Sequence, residues 1–231
     1  MRRIFSTGIL CGIIGILGGG LGTSTLYSAD FSTYRGLRFG MSIADAAKGT
    51  RSSTAEAKVV HQRPALIQEV EWRLEMSASD AANSDPVKQG LLCFYNGGLF
   101  RIVVTYDRYK IEGMTEQDMI DGISATYGAA SRPGGEIAFH SNYAETAKVL
   151  ARWEDPEYSY NLVRTGDQSS FALVLFSKRL DALAQTAITQ AVQLDVKEAP
   201  QREIEKQKDQ AEAARLVLEK ARSANKPTFR P

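Results

Sequence analysis

The sequence predicts an α+β fold built from two tandem repeats, each a helix followed by a three-stranded antiparallel sheet, with helices completing the C-terminus. Three observations predict it. A helix-start pattern occurs twice, as Gly40-Met41-Ser42-Ile43-Ala44-Asp45 and as Gly113-Met114-Thr115-Glu116-Gln117-Asp118. Each is followed by a Trp-bearing apolar run and then by a hairpin pattern. Beyond Lys178 the chain turns to Ala, Gln, Leu and alternating charge.

The first element in order is an address. Met1-Arg2-Arg3 precedes an uncharged apolar stretch from Ile4 to Leu17, then Gly18-Gly19-Gly20 and small residues to Ala29. A basic start, an apolar middle and a small-residue exit form the secretory pattern. Residues 1–29 therefore read as a signal peptide. An uncleaved anchor is the alternative, because the uncharged run is long enough to reach across a bilayer. Both readings place the folded part outside the cytoplasm, in the periplasm or secreted, and any membrane contact runs through an uncleaved segment alone. Cys11 follows Leu10 inside the apolar stretch, which does not suit lipid attachment. Cys93, between Leu92 and Phe94, reads as a buried small hydrophobe, and one remaining thiol leaves no internal disulfide.

Residues 30–178 carry the predicted α+β domain, with repeats at about 34–107 and 112–178. In each helix start a hydroxyl residue, Ser42 or Thr115, stands three positions before an Asp. The hydroxyl accepts from a first-turn N–H, and the carboxylate meets the positive end of the helix dipole. The second helix continues through Met119, Ile120 and Ile123 and stops at Tyr127-Gly128. Leu66–Leu74 with Trp72-Arg73, and Val149–Asp155 with Arg152-Trp153, read as strands. Gly90–Tyr95 turns through Asn96-Gly97-Gly98 into Leu99–Tyr106, and Asn-Gly between apolar runs is a strong hairpin signal. Tyr158–Arg164 turns through Thr165–Gln168 into Phe171–Phe176.

Tyr34-Arg35-Gly36-Leu37-Arg38-Phe39-Gly40-Met41-Ser42 and a short helix, with the Tyr127-Gly128 helix end and the hairpin at 94–99, carry a resemblance. This stretch resembles small secreted bacterial domains of the β-lactamase-inhibitor-protein and SmpA/OmlA types, over residues 34–178. The resemblance implies a tandem of helix-plus-sheet units. The chain departs from those lipoproteins in lacking a lipid-attachment cysteine, and from the inhibitor in lacking paired cysteines. No functional residue carries over.

Residues 179–198 predict a packing helix, with Leu180, Leu183, Ala184, Ala187, Ile188 and Ala191 on one side. Pro200 then reads as the first turn of a separate charged helix and tail, residues 199–231. Glu203/Lys206, Lys208/Glu212, Arg215/Glu219 and Glu219/Arg222 stand at ion-pair spacing, each worth about 0.2–0.5 kcal/mol. Ala214, Val217, Leu218 and Ala221 form an apolar seam of about one heptad, a coiled-coil-like docking element.

Little in the sequence points to chemistry. Lys+Arg 28 against Asp+Glu 27 gives no basic surplus for nucleic acid. His61 and His140 are the only histidines, and no HxH, HExxH, CxxC or GxSxG spacing occurs. Asp80, Asp85, Glu154, Asp155 and Glu157 are loop carboxylates outside any calcium-loop register. No catalytic, cofactor-binding or metal-ligating residue is assigned, and no cofactor is expected. The reading is a non-enzymatic protein-binding module contacting another envelope protein. The candidate contact residues are Trp72, Arg73, Arg152, Trp153, Val217 and Leu218, since aromatics and Arg on an open sheet face suit recognition. The alternatives are an envelope hydrolase whose groups meet only in three dimensions, and a membrane-anchored structural spacer.

Overall fold

In chain order the computed structural model contains β1 (Thr33–Tyr34), β2 (Leu37–Arg38), α1 (Ile43–Thr50), β3 (Lys58–His61), β4 (Ile67–Arg73), β5 (Val87–Tyr95) and β6 (Gly98–Tyr106). There follow α2 (Glu116–Tyr127), β7 (Glu136–Ala138), β8 (Thr146–Glu154), β9 (Tyr158–Arg164), β10 (Phe171–Ser177) and α3 (Lys178–Asn225). The structure describes residues 29–50, 56–73, 85–140, 145–164, 171–228 and 230. The expected signal peptide or anchor up to residue 28, Asp80 and the expected turn at 165–168 lie outside the described residues.

Local chemistry sets the turns and helix starts. Asn96 and Gly97, at φ 47° and 82°, close the hairpin between β5 and β6 in the left-handed conformation that a tight two-residue turn requires. The Asp45 N–H donates to Ser42 Oγ at 3.1 Å, and that hydroxyl donates to the Asp45 carboxylate at 2.7 Å. Thr115 and Asp118 form a reciprocal capping box at the start of α2. These hydroxyl contacts hold both Asp carboxyls below their ordinary range. Gly128 ends α2 at φ 83°.

The strands correct the predicted repeats. They do not form two separate three-stranded sheets, each with its own helix. Eight of them make one continuous antiparallel sheet in the order β3-β4-β5-β6-β10-β9-β8-β7, beside a two-stranded β1-β2 ribbon. The join is β10 on β6, from Ala172↔Thr105 to Phe176↔Arg101. The reason is backbone satisfaction: each strand read as the last of its repeat would leave a long apolar edge of unpaired N–H and C=O groups. Pairing the two edges removes both and makes β6 and β10 central. The short strands β3 and β7, which the sequence reading omits, then form the outer edges.

The sheet has a core on each face. On one, Val70, Trp72, Leu92, Ile102, Trp153 and Leu173 pack with Ala46 of α1, Met119 and Ile120 of α2, and the β1–β2 ribbon. Phe31, Tyr127 and Tyr160 form a ring cluster there, with Tyr160 edge-on to both partners and its hydroxyl donating to the Thr33 carbonyl at 2.8 Å. Burial pushes the Tyr160 phenol above its ordinary range. At the margin Arg35 donates twice to Asp85, at 2.6 and 3.0 Å, and holds that carboxyl below its ordinary value.

The opposite face receives α3. A register shift between Cys93 and Phe94 makes Phe100 an extra residue on β6, so Phe100 and Arg101 both turn toward the helix. Phe100 packs with Cys93, Ala184 and Ile188. Arg101, 2% exposed, donates through Nε to Asp181 Oδ1 at 2.9 Å and through a terminal nitrogen to the Ala138 carbonyl at 2.6 Å. Asp181 lies in the first turn of α3, where the dipole also favours its charge.

The C-terminus corrects a second expectation. Instead of two helices parted at Pro200, α3 is one helix of 48 residues that runs through the proline. Pro200 removes the N–H that would serve the Val196 carbonyl. Arg202 spans the gap, donating to the Asp195 carboxylate at 2.8 Å and to the Asp195 carbonyl at 3.1 Å. Arg63, in the segment between β3 and β4, pairs with Glu198 one turn earlier.

Two outcomes follow. Asp181→Ala leaves a buried guanidinium without its carboxylate and should cost about 3 kcal/mol in denaturant unfolding, whereas Arg101→Met/Asp181→Ala should cost less than the two single losses together. Stability should also fall on acidification below about pH 4. A carboxyl whose folded pKa is depressed stabilises above its unfolded pKa, and the contribution disappears as pH drops through the folded value. Asp85→Asn should flatten that acid limb in denaturant melts recorded against pH.

Candidate functional site

Trp72 and Trp153 stand on the covered face of the sheet, and both are interior. Trp72, on β4, lies over Gly90 of the paired strand β5. A Cβ on Gly90 would come within 2.7 Å of the Trp72 ring, so the glycine provides the space the indole occupies. Trp153, on β8, donates its indole N–H to the Gly128 carbonyl at 2.9 Å and to Ser124 Oγ at 3.2 Å, fastening the end of α2 to the sheet. A register shift between Val149 and Ala151 places Leu150 and Ala151 in the same core and sets the phase that buries Trp153.

Their arginine neighbours point the other way. Arg73 is exposed and donates to Glu71 on its own strand at 3.1 Å. Arg152 is half-buried and donates through Nε to Asn161 Oδ1 at 2.7 Å. Asn161 in turn donates to Ser159 Oγ and to the Val174 carbonyl, so Arg152 belongs to a polar network across β8, β9 and β10. Trp and Arg of each pair are thus split between the two faces, and no patch contains both types.

Val217 and Leu218 lie far along α3, 67% and 71% exposed. The proximal half of the helix is seated by Ala184, Ala187, Ile188 and Ala191, all buried. Three of the four are alanines, which let the helix approach the sheet closely. From Ala199 to Asn225 every residue is exposed, an arm of about 40 Å at 1.5 Å per residue. Ile204 and Leu216 are also exposed on it. Sequence reading did not single them out, although Ile204 and Leu218 stand two heptads apart. None of the four expected ion pairs on the arm closes to within 4 Å, consistent with the small gain available to exposed long side chains.

Two hollows beside the sheet are lined by arginines that are already engaged. One of about 260 Å³ lies between β3 and α3, lined by His61, Arg63, Asp195 and Arg202. Arg63 and Arg202 there make the ion pairs to Glu198 and Asp195. Another, of about 400 Å³ at the start of α2, is lined by Arg108, Tyr109, Glu112, Glu116, Arg164 and Phe171 among others. Arg164 stacks on Phe171 and Arg108 on Tyr109, with ring distances of 4.8 and 4.7 Å. His140 Nε2 is 3.3 Å from Glu145, at the other end of the sheet order from His61. Among the described residues no three His, Cys, Asp or Glu side chains converge as metal ligands, and no helix is long and apolar enough to cross a membrane.

The contrast between interior and surface positions is measurable. Gly90→Ala should destabilise by about 1–3 kcal/mol through overpacking against Trp72. Arg73→Ala should stay within about 0.5 kcal/mol of the parent. Urea midpoints of the two variants, compared at equal slope, check both.

The comparisons add no relative: no protein-family model, no curated protein and no solved structure matches this chain.

Proposed function

We propose that the chain is a non-enzymatic binding module of the cell envelope, exported by its N-terminal segment, whose folded body presents the distal arm of α3 to another protein. The observation that carries this reading is the contrast along one helix. One face of its proximal half is buried on the sheet and clamped by Arg101–Asp181 and Arg63–Glu198, while its distal half is exposed on every side. An exposed helix gains little from its own ion pairs, yet this one carries Ile204, Val217 and Leu218 in water. Apolar residues on a projecting helix are the usual anchors of helix-mediated recognition. The two tryptophans, which would have served a sheet-face contact, are occupied in the core. Location outside the cytoplasm rests on the basic start, apolar middle and small-residue exit of residues 1–29.

A photo-crosslinking side chain placed at Val217 in the full chain, in intact cells, tests the reading. It should capture one defined protein band, and Leu218→Glu in the same chain should abolish the capture without moving the thermal melting point. The same probe at Arg73 or Arg152 should capture nothing comparable. Capture from Arg73 or Arg152 with none from Val217 would transfer the contact to the sheet and overturn the proposal.

A further inference from the structure

Resting on the arm being a protein-contact element, we infer that its partner is a second copy of this chain, joined in parallel along the distal part of α3. The inference starts from spacing. Ile204, Gln207, Ala211, Ala214, Leu218 and Ala221 follow one another at steps of three and four, a seam of three heptads. All six are exposed. Four are Ala or Leu and one is Ile, and the three alanines allow two helix backbones to approach toward the short end of the usual 8–10 Å separation. Gln207 is the polar member. It donates to Glu203 at 3.1 Å in the single chain and would face its own copy in a pair. A lone polar core position of this kind selects register at some cost in stability.

Charge decides the orientation. One flank of the seam carries Lys208, Arg215 and Arg222 at successive heptads, and the other carries Glu203, Gln210 and Val217. In a parallel pair each flank meets the opposite flank of its neighbour. Lys208 then meets Glu203, while Arg215 and Arg222 meet the uncharged Gln210 and Val217. In an antiparallel pair like flanks meet, setting Lys208 and Arg215 against their own kind. Like charges at these positions disfavour the antiparallel arrangement.

The phase of the helix makes room for the partner. On ideal geometry the seam and the sheet-facing residues Ala184, Ala187, Ile188 and Ala191 lie about 160° apart around the axis. A second arm therefore approaches from the side away from the sheet, and the two folded bodies do not compete for the space. With one Ile and one Leu layer the pair is weak.

Cysteines introduced one at a time into the full chain carrying Cys11→Ser and Cys93→Ala, and oxidised with copper phenanthroline, read the geometry directly, because equal-numbered seam residues meet only in a parallel pair. Leu218→Cys should form a disulfide-linked dimer at least tenfold faster than Leu216→Cys, which stands off the seam. Ile204→Glu added to Leu218→Cys should remove most of that advantage with the far-ultraviolet dichroism unchanged. Equal rates for the two cysteines would overturn the inference. So would faster linkage between mixed Gln207→Cys and Leu218→Cys chains than between Leu218→Cys chains alone, which is the antiparallel result. If Leu218→Cys does not link while the Val217 probe still captures a different protein, the second copy is wrong and the contact role of the arm stands. If neither reacts, both fall.

Discussion

The structure depends on one buried cation. Arg101 sits within the apolar strand β6, and a guanidinium there must have its donors satisfied or it forces the strand apart. Its partners come from separate parts of the chain: the carboxylate of Asp181 in the first turn of α3, and the carbonyls of Ala138 and His140 at the end of β7. Phe176 of β10 covers the guanidinium, with the ring centre 5.3 Å away. One side chain thereby ties a central strand, an outer strand and the start of the long helix. Because α3 follows β10 without a connecting loop, the first turn sets the course of the helix over the sheet, and Asp181 sets the first turn.

Much of the local structure was legible in the sequence because it depends on neighbours. Ser42 with Asp45, Thr115 with Asp118 and Asn96 with Gly97 act within four residues, where side-chain chemistry and φ preference decide the outcome. The continuity of the sheet was not legible. It rests on β6 pairing with β10, 67 to 75 positions away in register. One sign of it was present, since the runs from Leu99 and from Phe171 are apolar at consecutive positions and not at alternate ones. A strand buried on both faces reads in this way, as central and not terminal.

The candidate contact residues divide along the same line. Trp72 and Trp153 looked available because a three-stranded sheet with one helix would leave a face open. In the eight-stranded sheet α1, α2 and the β1–β2 ribbon fill that face. The register shift at Val149 and Ala151 cannot be read from spacing, yet it determines which of Arg152 and Trp153 goes inside. Val217 and Leu218 did not depend on sheet topology, and they are exposed. The lone arginine in Leu99–Val104 was the signal that could have located Arg101, because a charge in such a run needs a buried partner elsewhere.

The arm raises its own physical question, since helices in proteins draw most of their stability from tertiary packing and this part has none. Two features answer it. Ala, Glu, Lys, Arg and Gln dominate from Ala199 onward and have the highest helix propensities. More important, the helix is nucleated where it packs, so the distal part only has to propagate an existing helix and avoids the nucleation penalty of order 10⁻³. Propagation must still cross Pro200, at a cost of about 3 kcal/mol in a helix interior. That proline stands where the buried contacts of α3 have ended, and the Arg63–Glu198 and Arg202–Asp195 pairs bracket it. The bracket holds the two sides of the proline in line when packing no longer does. A rigid body, a continuous helix and an exposed seam are therefore linked through a few charged side chains, and the direction in which the arm points is set by the sheet.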